Sequence, residues 1–497
     1  MTSLQIVDRL SDRLHRENIR YCHWKSNEHL DAAVQGKTDL DVLFDRTRKS
    51  QLEPILAEVG FKYFEAVPYR RYVDIEDYLA IDEQTGTLVH LHLHYRLELG
   101  EKNLKGYHVP WEERLLSTRI YNDEYNFYTV EPHLELIILV VRAVLKLRTR
   151  DRLKSLLGRD YFAGDFLREF RWLKERIDRD RLRKLSKELL GPTATQQILK
   201  AIDDEANLQH LLGLENPIRA PLRPYRRYHP LVSTGLRWYR EAQTLWAKVQ
   251  RKYFQTPKAT HRTPVGGGTI VAILGADGSG KSTVTSEIVS SLSQKLDVLP
   301  LYLGSGDGKA SAIRQPLIWA RKGLKALRSR RSSNQQSSKT GNRQPKPTSS
   351  LSGLGQLVWA LVLTQEKRNK LKQARVAKES GTIAICDRYP QSQILGLNDG
   401  PLLSDGSKYP QPLQQWEMES YQRMVRTMPP DLVIKLNVTP EVAIARKSET
   451  PPETVRQKVE AVRSLTFGDR TTVVTINADE SLDDVLVQAK QAVWAHL

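Results

Sequence analysis

"LGADGSGKST", residues 274–283, decides how the second half of the chain folds. It follows the apolar run "TIVAIL" (269–274) and opens a helix-forming run, which makes it a strand–turn–helix junction. Gly275, Gly280, Lys281 and Ser282 satisfy the spacing G-x-x-x-x-G-K-[ST]. Glycines let successive backbone N–H groups turn inward around an anion, and the following helix N-terminus adds partial positive charge. Lys281 reaches the β- and γ-phosphates, and Ser282 supplies an oxygen to Mg²⁺. Gly275, Ala276, Asp277, Gly278, Ser279, Gly280, Lys281, Ser282 and Thr283 are therefore the expected cradle of a nucleoside triphosphate, ATP or GTP.

Outward from this turn, "VLPLYL", "TIAIC", "DLVIKLNV" and "TVVTIN" are further apolar runs, with helical stretches between most of them. Buried parallel strands read as continuous apolar runs, so residues 268–497 are expected to form a doubly wound α/β domain on a five-stranded parallel sheet. Asp387 ends "TIAIC", where a carboxylate faces a triphosphate and holds Mg²⁺ through water or a hydroxyl; Arg388 follows it.

"GADGSGKST", "GTIAICDRYPQS", "PPDLVIKLNVTPEVAIARK" and the closing "TVVTINADESLDDVLVQAKQAVW" together resemble the thymidylate kinase family of P-loop nucleoside monophosphate kinases, over roughly 268–497. The resemblance implies an ATP- and Mg²⁺-dependent kinase with Lys281, Asp387, Arg388, Arg446 and Arg456 as catalytic groups. Arg388 would contact the acceptor phosphate, Asp277 would face the acceptor sugar, and Arg446 and Arg456 would close over the phosphates as lid arginines. Bland readings stand beside these: a turn-forming aspartate for Asp277 and a solvated helix face for the two arginines. The chain departs from the family after its second strand, where "LYLGSGDGKASAIR" replaces an Arg-Glu-Pro element; Lys309 and Arg314 are substitutes for that cation, and Arg368 is a candidate acceptor contact. The acceptor is thus a nucleoside monophosphate or another small molecule.

The first half differs. A chain of 497 residues that is 40% hydrophobic can bury more than one core, and about 150 residues per domain gives two to four units. Strand-like "TDLDVLF", "YRRYVDIEDYLAI" and "TLVHLHLHYRL" place an α+β domain at 1–115, and helical spacing in "LELIILVVRAVLKL" and "DYFAGDFLREFRWLKERI" places a helical subdomain at 116–215. Residues 216–267, rich in proline, aromatic and basic residues, read as a connector. Asp39 and Asp41 alternate onto one strand face, close enough to share a divalent metal. With the Lys25-Ser26 turn before them and "HLHLHYRL" (90–97) after, the segment 20–100 resembles the bacterial nucleotidyltransferase superfamily, in which a third carboxylate stands where His92 stands here. His90, His92 and His94 share one face, so a nitrogen-rich metal site and a sheet with one wet face are the competing readings. Imidazole in place of the third carboxylate lowers hard-cation affinity, so the expectation is an altered domain that binds nucleotide without transferring it.

The formal net charge is +18, and residues 308–350 carry eleven Lys/Arg and no Asp/Glu, which is over half of the excess. Low apolar content makes about 325–350 a disordered basic insertion: either a solvated loop or an arm for an anionic polymer or membrane headgroups. Its lone aromatic, Trp319, gives base stacking little support. Two cysteines, Cys22 and Cys386, are too few for a disulfide framework, the amphipathic start lacks a signal-peptide pattern, and "LELIILVVRAVLKL" (134–147) is shorter than the ~20 residues a bilayer needs. A cytoplasmic protein without a transmembrane segment is expected, with a homodimer among its possible states. Three functions are compatible with these features: a small-acceptor kinase, favoured; a nucleic-acid-associated P-loop ATPase or polynucleotide kinase; and a nucleotide-binding regulator without transfer.

Overall fold

The computed structural model describes residues 3–101, 103–147, 163–204, 208–253, 259–305, 353–403, 409–447 and 450–497. Lys309, Arg314 and the basic insertion lie outside them. The chain divides into two units: residues 1–250 with 260–265, and residues 251–259 with 266–497.

In unit 1 the strands are β1 (Tyr21–His23), β2 (Leu40–Phe44), β3 (Lys62–Ala66), β4 (Ile75–Ile81), β5 (Leu88–His94), β6 (Glu98–Glu101), β7 (Leu104–His108), β8 (Ile120–Asn122), β9 (Phe127–Thr129) and β10 (Arg262–Pro264). Eight of them make one mixed sheet in the order β10-β3-β4-β5-β2-β1-β9-β8. Alternation assigns the two faces. Leu40, Val42, Phe44, Leu91 and Leu93 pack against helices α1 (Gln5–Arg16) and α2 (Lys49–Val59), whose inner stripes include Val7, Leu10, Leu52 and Leu56. Cys22, Trp24 and Leu43 face the other way, into a core with α3 (Pro132–Lys146), α4 (Ala163–Lys174) and α5 (Arg179–Asp203). The apolar run 134–147 is thus a buried helix, and among the described residues no helix is long and apolar enough to cross a membrane.

The stretch read as a connector holds a 24-residue helix, α6 (Pro230–Tyr253). The prolines at 217, 221 and 224 precede it, and the one at 230 opens it, where a missing N–H costs nothing. "YRRYVDIEDYLAI" begins as a 3₁₀ turn at Pro68–Arg70, and its strand starts only at Ile75.

Unit 2 carries the five parallel strands expected from the apolar runs: β11 (Ile270–Gly275), β12 (Val298–Tyr302), β13 (Ile383–Asp387), β14 (Leu432–Asn437) and β15 (Thr472–Asn477), in the order β12-β13-β11-β14-β15. The helices are α7 (Lys281–Ser293), α8 (Gly353–Glu379), α9 (Gln411–Thr427), α10 (Pro440–Arg446), α11 (Pro452–Ser464) and α12 (Leu482–His496). Ile270, Ala272 and Leu274 pack against Leu371, Ala374 and Ala377 of α8 and Tyr421 and Met424 of α9, so alternation turns Val271 and Ile273 to the opposite face. Helices on both faces explain why the strands read as unbroken apolar runs. The chain leaves β11 toward β12 on one side, then returns past β13 to β14 on the other. Neighbouring connections diverge there, opening a crevice at the carboxyl ends of β11 and β13.

Leu371 is fully buried in this core. Leu371→Ala should lower the stability of unit 2 by about 2–5 kcal/mol. Hydrogen exchange of β11 and β13 peptides in moderate denaturant reads it, as faster exchange in those strands.

Candidate functional site

The crevice is lined by the turn after β11 and by the residues at the end of β13. Ile273 and Asp387 are register partners, and the Arg388 N–H donates to the Ile273 carbonyl at 3.0 Å, so the P-loop and the Asp-Arg pair start from adjacent strand ends. After Gly275 the backbone turns left-handed at Gly278 (φ +87°) and Gly280 (φ +80°). At Gly278 a side chain is excluded by space as well: a Cβ there would stand 2.6 Å from the carbonyl oxygen of Ala443 on α10. Gly280 is the N-cap of α7 and, among the described residues, no side-chain cap bonds that helix, so its first-turn amides keep their need for an acceptor.

Asp277 sits among three cations. Lys458 Nζ lies 2.6 Å from Oδ2, and Lys281 Nζ and an Arg388 guanidinium nitrogen each lie 3.4 Å from Oδ1. Burial alone would raise its pKa; the hydrogen bond from Lys458 and the charges of Lys281 and Arg388 outweigh that and hold the carboxyl well below the usual range. Lys281, buried, also donates to the Ala276 carbonyl at 3.1 Å. Its own pKa is lowered, by burial first and by Arg388 next.

Ser282 Oγ donates to Asp387 Oδ2 at 3.0 Å, while the buried Oδ1 of Asp387 has no hydrogen-bond partner among the described residues. Arg388, held at φ +72°, spans from Asp277 to Asp399, whose Oδ2 is 3.4 Å from its other guanidinium nitrogen. Gly304 makes room for this arm, since a Cβ there would lie 2.6 Å from Arg388 Cδ. Asp399 also accepts the Ser305 N–H at 3.1 Å and faces buried Lys367 of α8, whose Nζ donates to the Asp399 carbonyl at 3.0 Å. Glu417 of α9 accepts the N–H groups of Leu402 and Leu403, which fixes the end of the same loop.

The other residues expected at the site divide between the turn and places away from it. Ser279 is buried in the turn, and Thr283 is exposed on the first turn of α7. Arg446 donates to the Ala478 carbonyl at 2.8 Å, Arg456 is exposed on α11, and Arg368 is exposed beside a groove between α8 and α9. Lys458 takes the inward place. It lies three residues after buried Val455 and one before buried Val459, so the apolar stripe of α11 was the signal for it.

In unit 1 the strand order β4-β5-β2 sets Asp77, His92 and Asp41 in one register row. Asp39 and Asp41 each meet a histidine of β5. Asp39 Oδ1 takes His90 Nδ1 at 2.8 Å, and the other ring nitrogen of His90 meets Asp77 Oδ1 at 2.8 Å. Asp41 Oδ1 meets Lys25 Nζ at 2.7 Å, His92 Nδ1 at 2.8 Å and His94 Nε2 at 3.5 Å. The expected wet face is covered, with His90 and His94 buried and His92 partly so. Burial first, then neighbouring His92, pushes His94 down to about 3. The Lys25-Ser26 turn is spoken for as well: the Ser26 N–H donates to Glu169 Oε1 at 3.0 Å and the Asn27 N–H to Glu135 Oε1 at 2.8 Å. Burial raises Glu135 to about 7, above its usual value. Amides already given to carboxylates make a poor phosphate cradle, and Asp39 turns to His90 while Asp41 meets Lys25 and His92.

No protein-family model matches the chain. A deoxyadenosine kinase from M. mycoides with bound dATP covers 45% of the chain and 98% of its own, at 15% identity and a TM-score of 0.27. The protein named "uncharacterized ATP-binding protein YghS" of Escherichia coli (strain K12) is 30% identical over 241 residues, spanning 47% of this chain and 95% of YghS. The similarly named YghR of the same strain is 30% identical over 236 residues, 45% of this chain and 86% of YghR. Through about half of its length, the chain belongs to the family that contains YghS and YghR.

Proposed function

We propose that unit 2 binds ATP with Mg²⁺ and transfers the γ-phosphoryl group to a small acceptor, a nucleoside monophosphate or a related compound. The placement of Arg388 carries this reading. Its guanidinium lies between Asp277 of the phosphate cradle and Asp399 of the loop after β13, with 3.4 Å to each carboxylate. A nucleotide switch needs the cradle alone; a built second wall, reached by a cation from the first, suits a group passed between two ligands. The names of YghS and YghR support the choice of ATP, and the resemblance of the motifs in 268–497 to thymidylate kinases supports the acceptor class.

Each task in the transfer falls to a group already at the crevice. The amides of residues 278–282 would surround the β-phosphate, and Lys281 would leave the Ala276 carbonyl to reach the β- and γ-oxygens. Ser282 Oγ and Asp387, whose buried Oδ1 has no hydrogen-bond partner among the described residues, would supply the hard-oxygen set for Mg²⁺, which when bound would offset charge on the β- and γ-phosphates. Arg388 and Lys458 would neutralise the transferring group as its bond to ADP breaks and one to the acceptor oxygen forms. For unit 1 the occupied turn amides favour a nucleotidyltransferase-like fold that no longer transfers.

Incubation with Mg²⁺ and γ-labelled ATP against nucleoside monophosphates, deoxynucleosides, sugars and oligonucleotides should put label on a small acceptor. Lys281→Ala and Asp387→Asn should each lower kcat/KM by at least about 100-fold. Label on oligonucleotides alone would replace the small-acceptor reading, and label nowhere would leave a nucleotide-binding regulator. Lys458→Met should cost about 10- to 100-fold in kcat/KM, roughly 1.4–2.7 kcal/mol, with the fold intact by circular dichroism. Gly278→Ala forces a side chain into a left-handed backbone against Ala443 and should weaken ATP binding at least about tenfold by calorimetric titration.

A further inference from the structure

We infer that unit 1 binds one borderline transition-metal ion, of the Zn²⁺ class, through Asp41 Oδ1, His92 Nδ1 and His94 Nε2. These three atoms converge on one point, with separations of 2.8 Å from Asp41 to His92, 3.3 Å between the two imidazole nitrogens and 3.5 Å from His94 to Asp41. A tetrahedral ion with bonds of about 2.0–2.1 Å sets its ligand atoms about 3.3 Å apart, so the set needs little rearrangement.

Hydrogen bonding alone accounts for the cluster badly. Asp41 Oδ1 already accepts from Lys25 and meets His92, yet His94 turns its Nε2 to the same place while its buried Nδ1 has no hydrogen-bond partner among the described residues. Two imidazole nitrogens 3.3 Å apart have room for one proton between them. A cation at their common vertex would satisfy both lone pairs, with the proton of His92 Nδ1 released to solvent. The ligands stand on strands, not on loops: Asp41 and His92 are register partners on β2 and β5, and the Trp24 ring lies edge-on against His94 at 5.1 Å. Strand placement and aromatic packing restrict the rotamers that the site requires.

The donor set selects the ion. Two imidazoles and one carboxylate suit Zn²⁺ or Co²⁺, whereas Mg²⁺ demands oxygen ligands. Three protein ligands leave a four-coordinate ion one position short. His92 also lines a cavity of about 210 Å³ with Asn103, Lys105 and Arg262, which gives solvent access and cationic neighbours that favour an anionic fourth ligand.

Titration of the full, tag-free chain with Co²⁺ tests this. One equivalent should bind at micromolar concentration, with the strong visible bands of a four-coordinate site, and be displaced by Zn²⁺ but not by a large excess of Mg²⁺. Asp41→Asn and His92→Gln should weaken uptake at least tenfold, and Lys281→Ala, in the other unit, should retain it. X-ray absorption of the Zn²⁺-loaded chain should show nitrogen and oxygen ligands only, with outer-shell scattering from two imidazoles; this decides the matter even where a variant fails to fold. Failure of the folded wild type to take up a stoichiometric ion, wild-type uptake in both variants, or a shell with sulfur or fewer than two imidazoles would overturn the assignment.

Discussion

A phosphate chain can be wrapped by main-chain amides only where the backbone turns them inward, and the arrangement of unit 2 depends on that constraint at Gly278 and Gly280. The left-handed turn at Gly278 brings the P-loop against Ala443 so closely that no side chain fits between them. With the turn made, Asp277 projects toward Lys281, Lys458 and Arg388, and α7 starts with uncapped amides. The strand order contributes the rest: β11 and β13 are neighbours, so Asp387 and Arg388 arrive beside the turn without any long-range adjustment.

Charge is distributed so that this crevice is poised for an anion. Three cations share one carboxylate at Asp277, and Arg388 shares itself between Asp277 and Asp399. A polyanion entering the crevice would meet Lys281, Arg388 and Lys458, and Arg388 loses little by giving up contacts of 3.4 Å. Unit 1 shows the opposite balance. In its polar row His90 is paired with both Asp39 and Asp77, and the turn amides of Ser26 and Asn27 are already bonded to glutamates.

Much of unit 2 was legible because its signals are local. Apolar runs gave all five strands, and the spacing of Gly275, Gly280, Lys281 and Ser282 located the turn, since nothing beyond adjacent residues is needed to set it. Lys458 was not legible from charge alone, because Arg456 carries the same charge two residues earlier and only the face of α11 separates them. In unit 1, alternation correctly put three histidines on one face, but not their burial, which comes from helices distant in sequence. The pairing of Asn27 with Glu135 and of Ser26 with Glu169 joins residues 108 and 143 positions apart, beyond the reach of any local pattern.

In the proposed transfer, amides near residue 280 take the phosphates while Arg388 faces the transferred end. A crystal structure of the chain with Mg²⁺ and a non-hydrolysable ATP analogue tests it most directly. The β-phosphate should lie inside the turn formed by 278–282, with Lys281 released from the Ala276 carbonyl and the γ-phosphate on the Arg388 side. A nucleotide seated elsewhere, or a filled turn with Lys281 still bonded to Ala276, would contradict it.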